Sequence, residues 1–189
     1  MKSIACVAAL AAASITTAAH AGDISGPRAE LLVGYDHVSM GFDEDSANAN
    51  GVAFGGGIGY DVVLASRVSV GVDGEITGSS SKYTESNPLY SLGIKYGRDL
   101  YAGGRVTFQA SKNVNLYAKV GYTNTRVKFT GEDTFDRFER SENYNGVRAG
   151  VGAQVRVSGP LYGALEYRYS NYEANLSRHQ VLAGVGYRF

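Results

Sequence analysis

The sequence predicts an all-β fold, an eight-stranded antiparallel up-and-down β-barrel that spans a membrane. Three observations predict it. Apolar and polar residues alternate with period two along most of the chain, and the helical period of 3.6 residues is nearly absent. Long and short connections alternate between these segments, as in a meander of hairpins. Charged residues of both signs share one face of the segments, and small aliphatic residues occupy the other.

The alternation divides the chain into eight predicted strands. Residues 68–77 show it most clearly, because Val, Val, Val, Gly and Ile at the even positions are interleaved with Ser, Gly, Asp, Glu and Thr. The predicted strands cover residues 29–38, 52–62, 68–77, 96–109, 114–125, 146–156, 161–170 and 180–189. The fourth strand is open to an earlier start, since residues 89–95 also alternate. In the fifth strand, the apolar residues move from even to odd positions after Tyr122, a change that we call a change of apolar parity. It predicts either a β-bulge near Asn124 or a strand that has left the apolar band.

The connections predict which ends of the strands lie together. Residues 39–51, 78–95, 130–143 and 171–177 are long and polar, whereas residues 63–67, 110–113 and 157–160 are short enough for tight turns. A meander places the four long loops at one end of the barrel. The short turns and both chain ends of the barrel domain then lie at the other end.

The first 21 residues are predicted to be a secretory signal peptide, which leaves residues 22–189 as the barrel domain. Lys2 gives a positive start, residues 4–15 are apolar, and Ala19-His20-Ala21 has the pattern of a cleavage site. Cleavage removes Cys6, the only cysteine. A secreted chain of this size without disulfides needs another source of stability, and a closed sheet supplies one.

Alternation alone also fits a soluble barrel with its apolar face inside. Strands of about ten residues and aromatic residues near the strand ends favour the opposite orientation, with the apolar face in lipid. The predicted aromatic girdles are Tyr35, Tyr96, Tyr122, Tyr167 and Tyr169 at the long-loop end, and Tyr60, Phe108, Tyr187 and Phe189 at the turn end. The residues predicted to form ion pairs inside the barrel are Glu30, Asp36, Asp61, Asp73, Glu75, Asp99, Arg105, Lys119, Arg148, Arg156, Glu166, Arg168 and Arg188. Eight strands enclose a lumen that side chains fill, so a wide pore is not expected.

The last two predicted strands carry a family resemblance. Residues 166–171 read Glu-Tyr-Arg-Tyr-Ser-Asn, and residues 179–189 read His-Gln-Val-Leu-Ala-Gly-Val-Gly-Tyr-Arg-Phe. This pattern resembles the final hairpin of Gram-negative outer-membrane β-barrels, the opacity-like "porin family" proteins and the eight-stranded barrels of the OmpA and OmpX type. The resemblance implies an outer-membrane location, and it implies that Tyr187 and Phe189 belong to a signal read by the barrel assembly machinery.

The same resemblance implies a structural or surface-interaction role, in adhesion or envelope integrity. Outer-membrane lipid and lipopolysaccharide are then partners, and the loops are available to an extracellular ligand. A narrow small-solute channel is the alternative. One long loop, residues 131–142, carries Phe135 and Phe138, which either dock a partner or pack the loop on itself. Eighteen basic and eighteen acidic residues give no net charge, so no nucleic-acid partner is expected.

The barrel domain holds few residues that could form an enzymatic or metal site. His37 and His179 lie close if the barrel closes, and Ser39, Ser177 and Glu173 suggest a Ser-His-acid set of a lipid A-modifying enzyme. Two polar side chains at headgroup level explain the histidines more simply, and Arg168 stands where the lipid A deacylase motif has histidine. The acidic residues 43–45 fail the spacing of a calcium loop. We therefore expect no enzyme activity, no cofactor and no metal site.

Overall fold

The computed structural model describes residues 24–41, 46–87, 90–133 and 137–189. The predicted signal peptide, the acidic residues 43–45 and Phe135 lie outside them. The described ranges contain nine β-strands: β1 (Gly26–Gly41), β2 (Ser46–Ala65), β3 (Val68–Ser79), β4 (Lys82–Asn87), β5 (Tyr90–Gln109), β6 (Val114–Asp133), β7 (Arg137–Ser158), β8 (Leu161–Tyr172) and β9 (Leu176–Arg188). No helix in these ranges is long and apolar enough to cross a membrane.

Eight of these strands form one closed antiparallel ring. Each pairs with its neighbour in the chain, except that β3 pairs with β5. The ring closes where β1 pairs with β9, from Arg28 opposite Arg188 to Met40 opposite Leu176. The short strand β4 pairs with β5 beyond the end of the β3–β5 ladder and adds no strand to the ring. The predicted eight-stranded up-and-down barrel is confirmed.

The strands extend further than predicted at the end opposite the short turns. β5 and β6 each have 20 residues and β7 has 22, so the predicted long loops 78–95 and 130–143 are mostly strand. The predicted loops 39–51 and 171–177 are likewise shortened by β1, β2, β8 and β9. The predicted bounds of the long loops are therefore wrong, and the early start of the fourth predicted strand is confirmed at Tyr90. We call this extended end the hairpin end, and the other the turn end.

The change of apolar parity on β6 arises because the strand leaves the apolar belt, since the odd residues Thr123, Thr125 and Val127 all point inward and are buried. A bulge lies on the neighbouring strand, β5. Tyr96 pairs with Val127 and Asp99 pairs with Thr125, so Gly97 and Arg98 together face the single residue between them on β6. The predicted bulge near Asn124 is therefore wrong, and the alternative, a strand that has left the apolar band, is confirmed. Val127 keeps the inward orientation of Thr125 and is fully buried. The bulge also turns Tyr96 inward, where it is 2% exposed, so its predicted place in the aromatic girdle is wrong.

An apolar belt surrounds the barrel. Its aliphatic side chains point outward, and Leu31, Ile58 and Val72 are each more than 60% exposed. Except for Tyr96, every aromatic residue predicted for the girdles is exposed at an end of the belt. A surface this apolar is unfavourable in water, so the belt is the face that contacts lipid.

The interior becomes apolar above the belt, at the hairpin end. A buried cluster, here called the cap, consists of Val38, Met40, Ala49, Tyr96, Val127, Tyr172 and Leu176. Burial raises the pKa of the Tyr96 hydroxyl to about 12. Apolar side chains point inward where the strands leave the membrane, because water replaces lipid as the surrounding solvent there.

Candidate functional site

Ion pairs fill the barrel interior at three levels. At the turn end, Arg28 lies between two carboxylates: its Nε donates to Oδ2 of Asp61 at 2.9 Å, and its Nη2 contacts Asp73. Arg105 Nε donates to the second oxygen of Asp73 at 2.8 Å. Arg188 Nη1 donates to Asp61 Oδ2, also at 2.8 Å. Two carboxylates and three guanidinium groups therefore share one buried network.

Glu30 connects this first level to the far wall of the barrel. Its Oε1 accepts a hydrogen bond from Tyr162 at 2.8 Å and one from Gln154 Nε2 at 2.9 Å. Arg105 Nη1 lies 3.4 Å from the same oxygen. Glu30 belongs to β1, whereas Gln154 and Tyr162 belong to β7 and β8, so these bonds cross the lumen.

The middle level is centred on Lys119. Its Nζ lies 2.7 Å from Glu166 Oε1 and also contacts Glu75. Arg168 Nη1 donates to the other oxygen of Glu75 at 2.8 Å, and the Tyr117 hydroxyl donates to Glu166 Oε2 at 2.7 Å. All five side chains are buried, so each charge is balanced by neighbours and not by water.

The third level lies beneath the cap. Arg178 donates to both oxygens of Asp36, at 2.6 and 2.7 Å, and its Nη1 donates to Asp99 at 2.9 Å. Arg148 Nη2 donates to the same Asp99 oxygen at 2.5 Å, and the Tyr172 hydroxyl does so at 2.7 Å. Tyr172 belongs to the cap as well, so the polar interior and the cap meet at this residue.

All of the residues predicted for the lumen except Arg156 take part in these ion pairs. Arg156 is half-buried, and no carboxylate in the described ranges pairs with it. The prediction missed Arg28 and Arg178, which lie just outside the strand limits drawn from the sequence. Both have the even parity of the interior positions next to them, Glu30 and Gln180, so a longer strand would have included them.

Small residues make room for the long side chains of this network. A Cβ atom added to Gly59 would lie 2.5 Å from the guanidinium carbon of Arg28, and one added to Gly152 would lie 2.5 Å from the ring of Tyr117. The interior of the described barrel is therefore filled with side chains, most of them in ion pairs or hydrogen bonds, and it leaves no wide channel.

A second group of polar residues lies on the outside of the barrel, where the belt ends. His37 and His179 face each other across β1 and β9, with ring centroids 6.5 Å apart. Ser39 Oγ lies 3.2 Å from His37 Nε2, but the Glu173 carboxylate hydrogen-bonds to Asn145. No carboxylate of the described chain contacts either imidazole, so a Ser-His-acid set is not assembled. Nor do the described residues group three or more His, Cys, Asp or Glu side chains around a metal position.

A third feature is the sheet that projects beyond the cap. We call it the outer sheet: β4, residues 90–98 of β5, 126–133 of β6 and 137–145 of β7. Its inward face holds a groove of about 390 Å³ lined by Gly93, Ile94, Phe129, Thr130, Phe138, Arg140 and Glu142. Phe138 is 56% exposed. Partial burial, together with a hydrogen bond to Glu142, raises the pKa of the neighbouring Tyr144 hydroxyl.

Comparison with known families identifies the chain. The model of the outer membrane protein beta-barrel domain matches residues 5–189. The chain belongs to this outer-membrane β-barrel family. The 25 kDa outer-membrane immunogenic protein of Brucella ovis is 26% identical over 124 residues, which are 65% of this chain and 57% of that protein. The chain therefore matches little more than half the length of this curated relative.

Solved structures share the fold of this outer-membrane barrel. Ail, the attachment invasion locus protein of Yersinia pestis, aligns with a TM-score of 0.55 and 18% identity over 88% of this chain and all of Ail. Ail in complex with the heparin analogue sucrose octasulfate aligns with the same TM-score, 20% identity, and coverage of 87% and 99%. Neisserial surface protein A aligns with a TM-score of 0.52 and 16% identity over 87% of this chain and 98% of its own.

The last strand of this outer-membrane barrel ends on the lipid face. β9 pairs with both β8 and β1, and the backbone N–H of Phe189 donates to the Pro27 carbonyl at 2.9 Å. Tyr187 and Phe189 both point outward at the turn end, and their rings meet edge to face with centroids 4.8 Å apart. The two residues predicted to form an assembly signal therefore lie side by side on the belt.

Proposed function

We propose that this outer-membrane barrel is a surface-interaction protein whose outer sheet docks an extended polypeptide outside the cell. The short turns then face the periplasm, and the ion-paired interior is the rigid base of the outer sheet. The observation that carries the proposal is a free strand edge on β7. β7 pairs with β6 as far as Arg137, but its pairing with β8 reaches only Gly146. No other strand of the described chain covers residues 137–144.

The free edge has its hydrogen-bonding groups in a known direction. The Asn145 carbonyl accepts from the Glu173 backbone N–H at 2.9 Å, so the backbone of Asn145 points away from β6. Backbone groups alternate between the two edges of an antiparallel strand. Arg137, Ser141 and Asn143 therefore present their N–H and C=O groups at the free edge. Such an edge is a template for an added strand, which gains main-chain hydrogen bonds.

The groove beside this edge favours an apolar or aromatic side chain on the incoming strand. Ile94, Phe129 and Phe138 supply the apolar lining, and the charged pair Arg140–Glu142, with a 2.7 Å contact, lies at its border. Main-chain bonds then give affinity, and the groove gives selectivity for alternate side chains of the peptide.

The bound ligand of Ail in one of its crystal structures is a sulfated heparin analogue. The outer sheet of this chain mixes signs, because Lys95, Arg126 and Lys128 are accompanied by Glu139 and Glu142. A mixed surface suits a polypeptide better than a polyanion. Sucrose octasulfate is nevertheless an informative competitor, since displacement of the peptide by this compound would contradict edge addition.

The test uses linear peptides selected from a display library against the folded barrel in lipid discs. Ser141→Pro removes one N–H from the free edge and leaves the β6–β7 ladder intact. We expect the selected peptides to lose binding to Ser141→Pro and to keep it with Ser141→Ala, the matched control. Equal binding to both variants, or no peptide selected above empty discs, would contradict the proposal.

We also propose that residues 1–21 direct export and that the barrel assembly machinery recognises β9 through Tyr187 and Phe189. The outward position of both rings on an otherwise paired terminal strand supports this. Phe189→Ala should reduce the amount of heat-modifiable barrel in outer-membrane fractions, whereas Phe108→Ala, which removes a girdle aromatic at the same end, should reduce it less. Equal effects would mean that only membrane anchoring matters.

A further inference from the structure

We propose that His37 and His179 form a binding site for a first-row divalent metal ion such as Zn²⁺, on the outer surface of the barrel where the belt meets the headgroups. The sequence indicated two interfacial polar side chains and no metal. The geometry points to a metal because the hydrogen bond of His37 to Asn50 places its lone pair on Nε2, and the ring of His179 lies opposite on the paired strand. This site is separate from the outer sheet and does not depend on its proposed function.

The two imidazoles have a spacing that a metal ion can bridge. They are directly opposite each other on paired strands, and their centroids are 6.5 Å apart with the ring planes inclined by 44°. A tetrahedral zinc ion with Zn–N bonds of about 2.0–2.1 Å needs its two nitrogens about 3.3 Å apart. Metal binding therefore requires the two side chains to rotate until one nitrogen of each ring reaches this separation. The rigid strands keep the two rings together without the metal.

Hydrogen-bond donors and acceptors fix the proton on His37. Its Nδ1 lies 2.6 Å from Oδ1 of Asn50, an atom that also accepts from the Tyr35 hydroxyl at 2.7 Å. An amide oxygen accepts only, so Nδ1 of His37 must carry the proton. Neutral His37 therefore has its lone pair on Nε2. This is the arrangement of most metal-binding histidines, whose second nitrogen donates to a fixed oxygen.

The neighbour of this lone pair cannot supply a proton. Ser39 Oγ is 3.2 Å from His37 Nε2, but its hydroxyl hydrogen is donated to Oδ1 of Asn48 at 2.8 Å. Two lone pairs therefore face each other across 3.2 Å. A metal ion bound to Nε2 relieves this contact, with Ser39 Oγ as a weak additional ligand.

The second ring is held in a similar way. His179 Nδ1 lies 2.8 Å from the Tyr167 hydroxyl, and the ring packs against Tyr169 with centroids 4.8 Å apart. The Tyr167 hydroxyl can accept from Nδ1, and in that tautomer Nε2 of His179 is the ligand. Water or phosphate oxygens complete the coordination, because the site lies at the level where headgroups begin.

The composition of the chain makes the test direct. The chain has three histidines, and the third, His20, lies in the predicted signal peptide. The folded barrel of residues 22–189 in detergent at pH 7.5 is titrated with Zn²⁺ against a competing indicator dye. We expect one saturable site, with an apparent affinity lowered at least tenfold by His37→Ala and by His179→Ala.

The orienting residues give a second readout. Asn50→Ala and Tyr167→Phe should each lower the affinity by about 10-fold or more, although neither touches the metal. Tyr122→Phe is the matched control, since Tyr122 also donates to an asparagine, Asn145, at the same level of the barrel but far from any histidine. It should leave Zn²⁺ binding unchanged.

Nitrogen NMR of the wild-type imidazoles keeps the proposal testable if a variant fails to fold. Without metal at pH 7.5, the proton of His37 should reside on Nδ1, and Zn²⁺ should shift Nε2 of both rings until a chelator reverses the change. A proton on Nε2 of His37 under these conditions, or Zn²⁺ binding that survives the double His37→Ala/His179→Ala change, would overturn the proposal.

Discussion

Arg178 of β9 donates hydrogen bonds to both carboxylate oxygens of Asp36 on β1, the strand with which β9 closes the barrel. We call this bidentate ion pair the fork. The hydroxyls of Ser79 and Ser81 donate to the same carboxylate from the neighbouring wall. Asp36 is fully buried and Arg178 is 2% exposed. The fork therefore links three parts of the barrel just beneath the cap, where the polar interior ends.

Removal of the arginine should strongly destabilise the barrel. Arg178→Met leaves the carboxylates of Asp36 and Asp99 buried with fewer partners, so the free energy of unfolding should fall by about 3–5 kcal/mol. Urea unfolding in phospholipid vesicles, followed by the gel shift between folded and unfolded chain, measures it. Arg156→Met is the control, because Arg156 is half-buried without an ion pair in the described chain; its change should stay below about 1 kcal/mol. Similar losses for both would contradict the role of the fork.

The orientation of the barrel in lipid predicts a depth-dependent cost for an outward charge. Val151 lies on the belt between Val147 and Val155, within the outward-facing apolar residues of β7. Val151→Arg should lower the free energy of unfolding by about 2–4 kcal/mol, whereas Val157→Arg, at the turn end of the same strand, should cost about 0–1 kcal/mol. Unfolding in vesicles compares the two. Equal losses of unfolding free energy for the two variants would mean that Val151 does not lie in the bilayer core.

The parity of the residues was enough to predict the faces of the barrel, because lipid and lumen impose opposite residue types at successive positions. Strand ends were harder to predict. At the hairpin end the outward residues become polar, as at Asn124 and Arg126, so the sequence looked like loop although the ladder continues. Arg178 was missed for the same reason. The bulge at Gly97 and Arg98 could not be recognised from the sequence either, since an inserted residue reverses which positions point inward without any change of composition.

The partners of the lumen charges could not be predicted from the sequence. Glu30 meets Gln154 and Tyr162, which are more than 120 residues away in the chain. Which residues meet across a barrel depends on the tilt and stagger of the strands, and these are properties of the closed sheet. The signs of the interior residues were predictable, and their pairing was not.

A methyl group at Gly152 should disturb the middle level of the interior. Its Cβ would lie 2.5 Å from the Tyr117 ring and 2.6 Å from the Leu165 carbonyl, so Tyr117 would be pushed away from Glu166. Gly152→Ala should therefore cost about 1–3 kcal/mol. Gly74→Ala is the matched control, since no atom lies within 4 Å of its added Cβ, and this change should be neutral or slightly stabilising. A neutral Gly152→Ala would mean that the interior is less densely filled than described.

The cap predicts a loss of stability in alkali that depends on Tyr96. Burial raises the pKa of its hydroxyl to about 12, whereas an unfolded tyrosine titrates near 10. Between these values the unfolded chain has lost a proton that the folded chain keeps, so the free energy of unfolding falls as pH rises from about 10 to 12. Tyr96→Phe removes this contribution and should make the decline shallower in vesicle unfolding experiments at pH 9 to 12. Tyr122→Phe, on the outer surface, is the control, and a wild-type decline in Tyr96→Phe would place the alkaline sensitivity outside the cap.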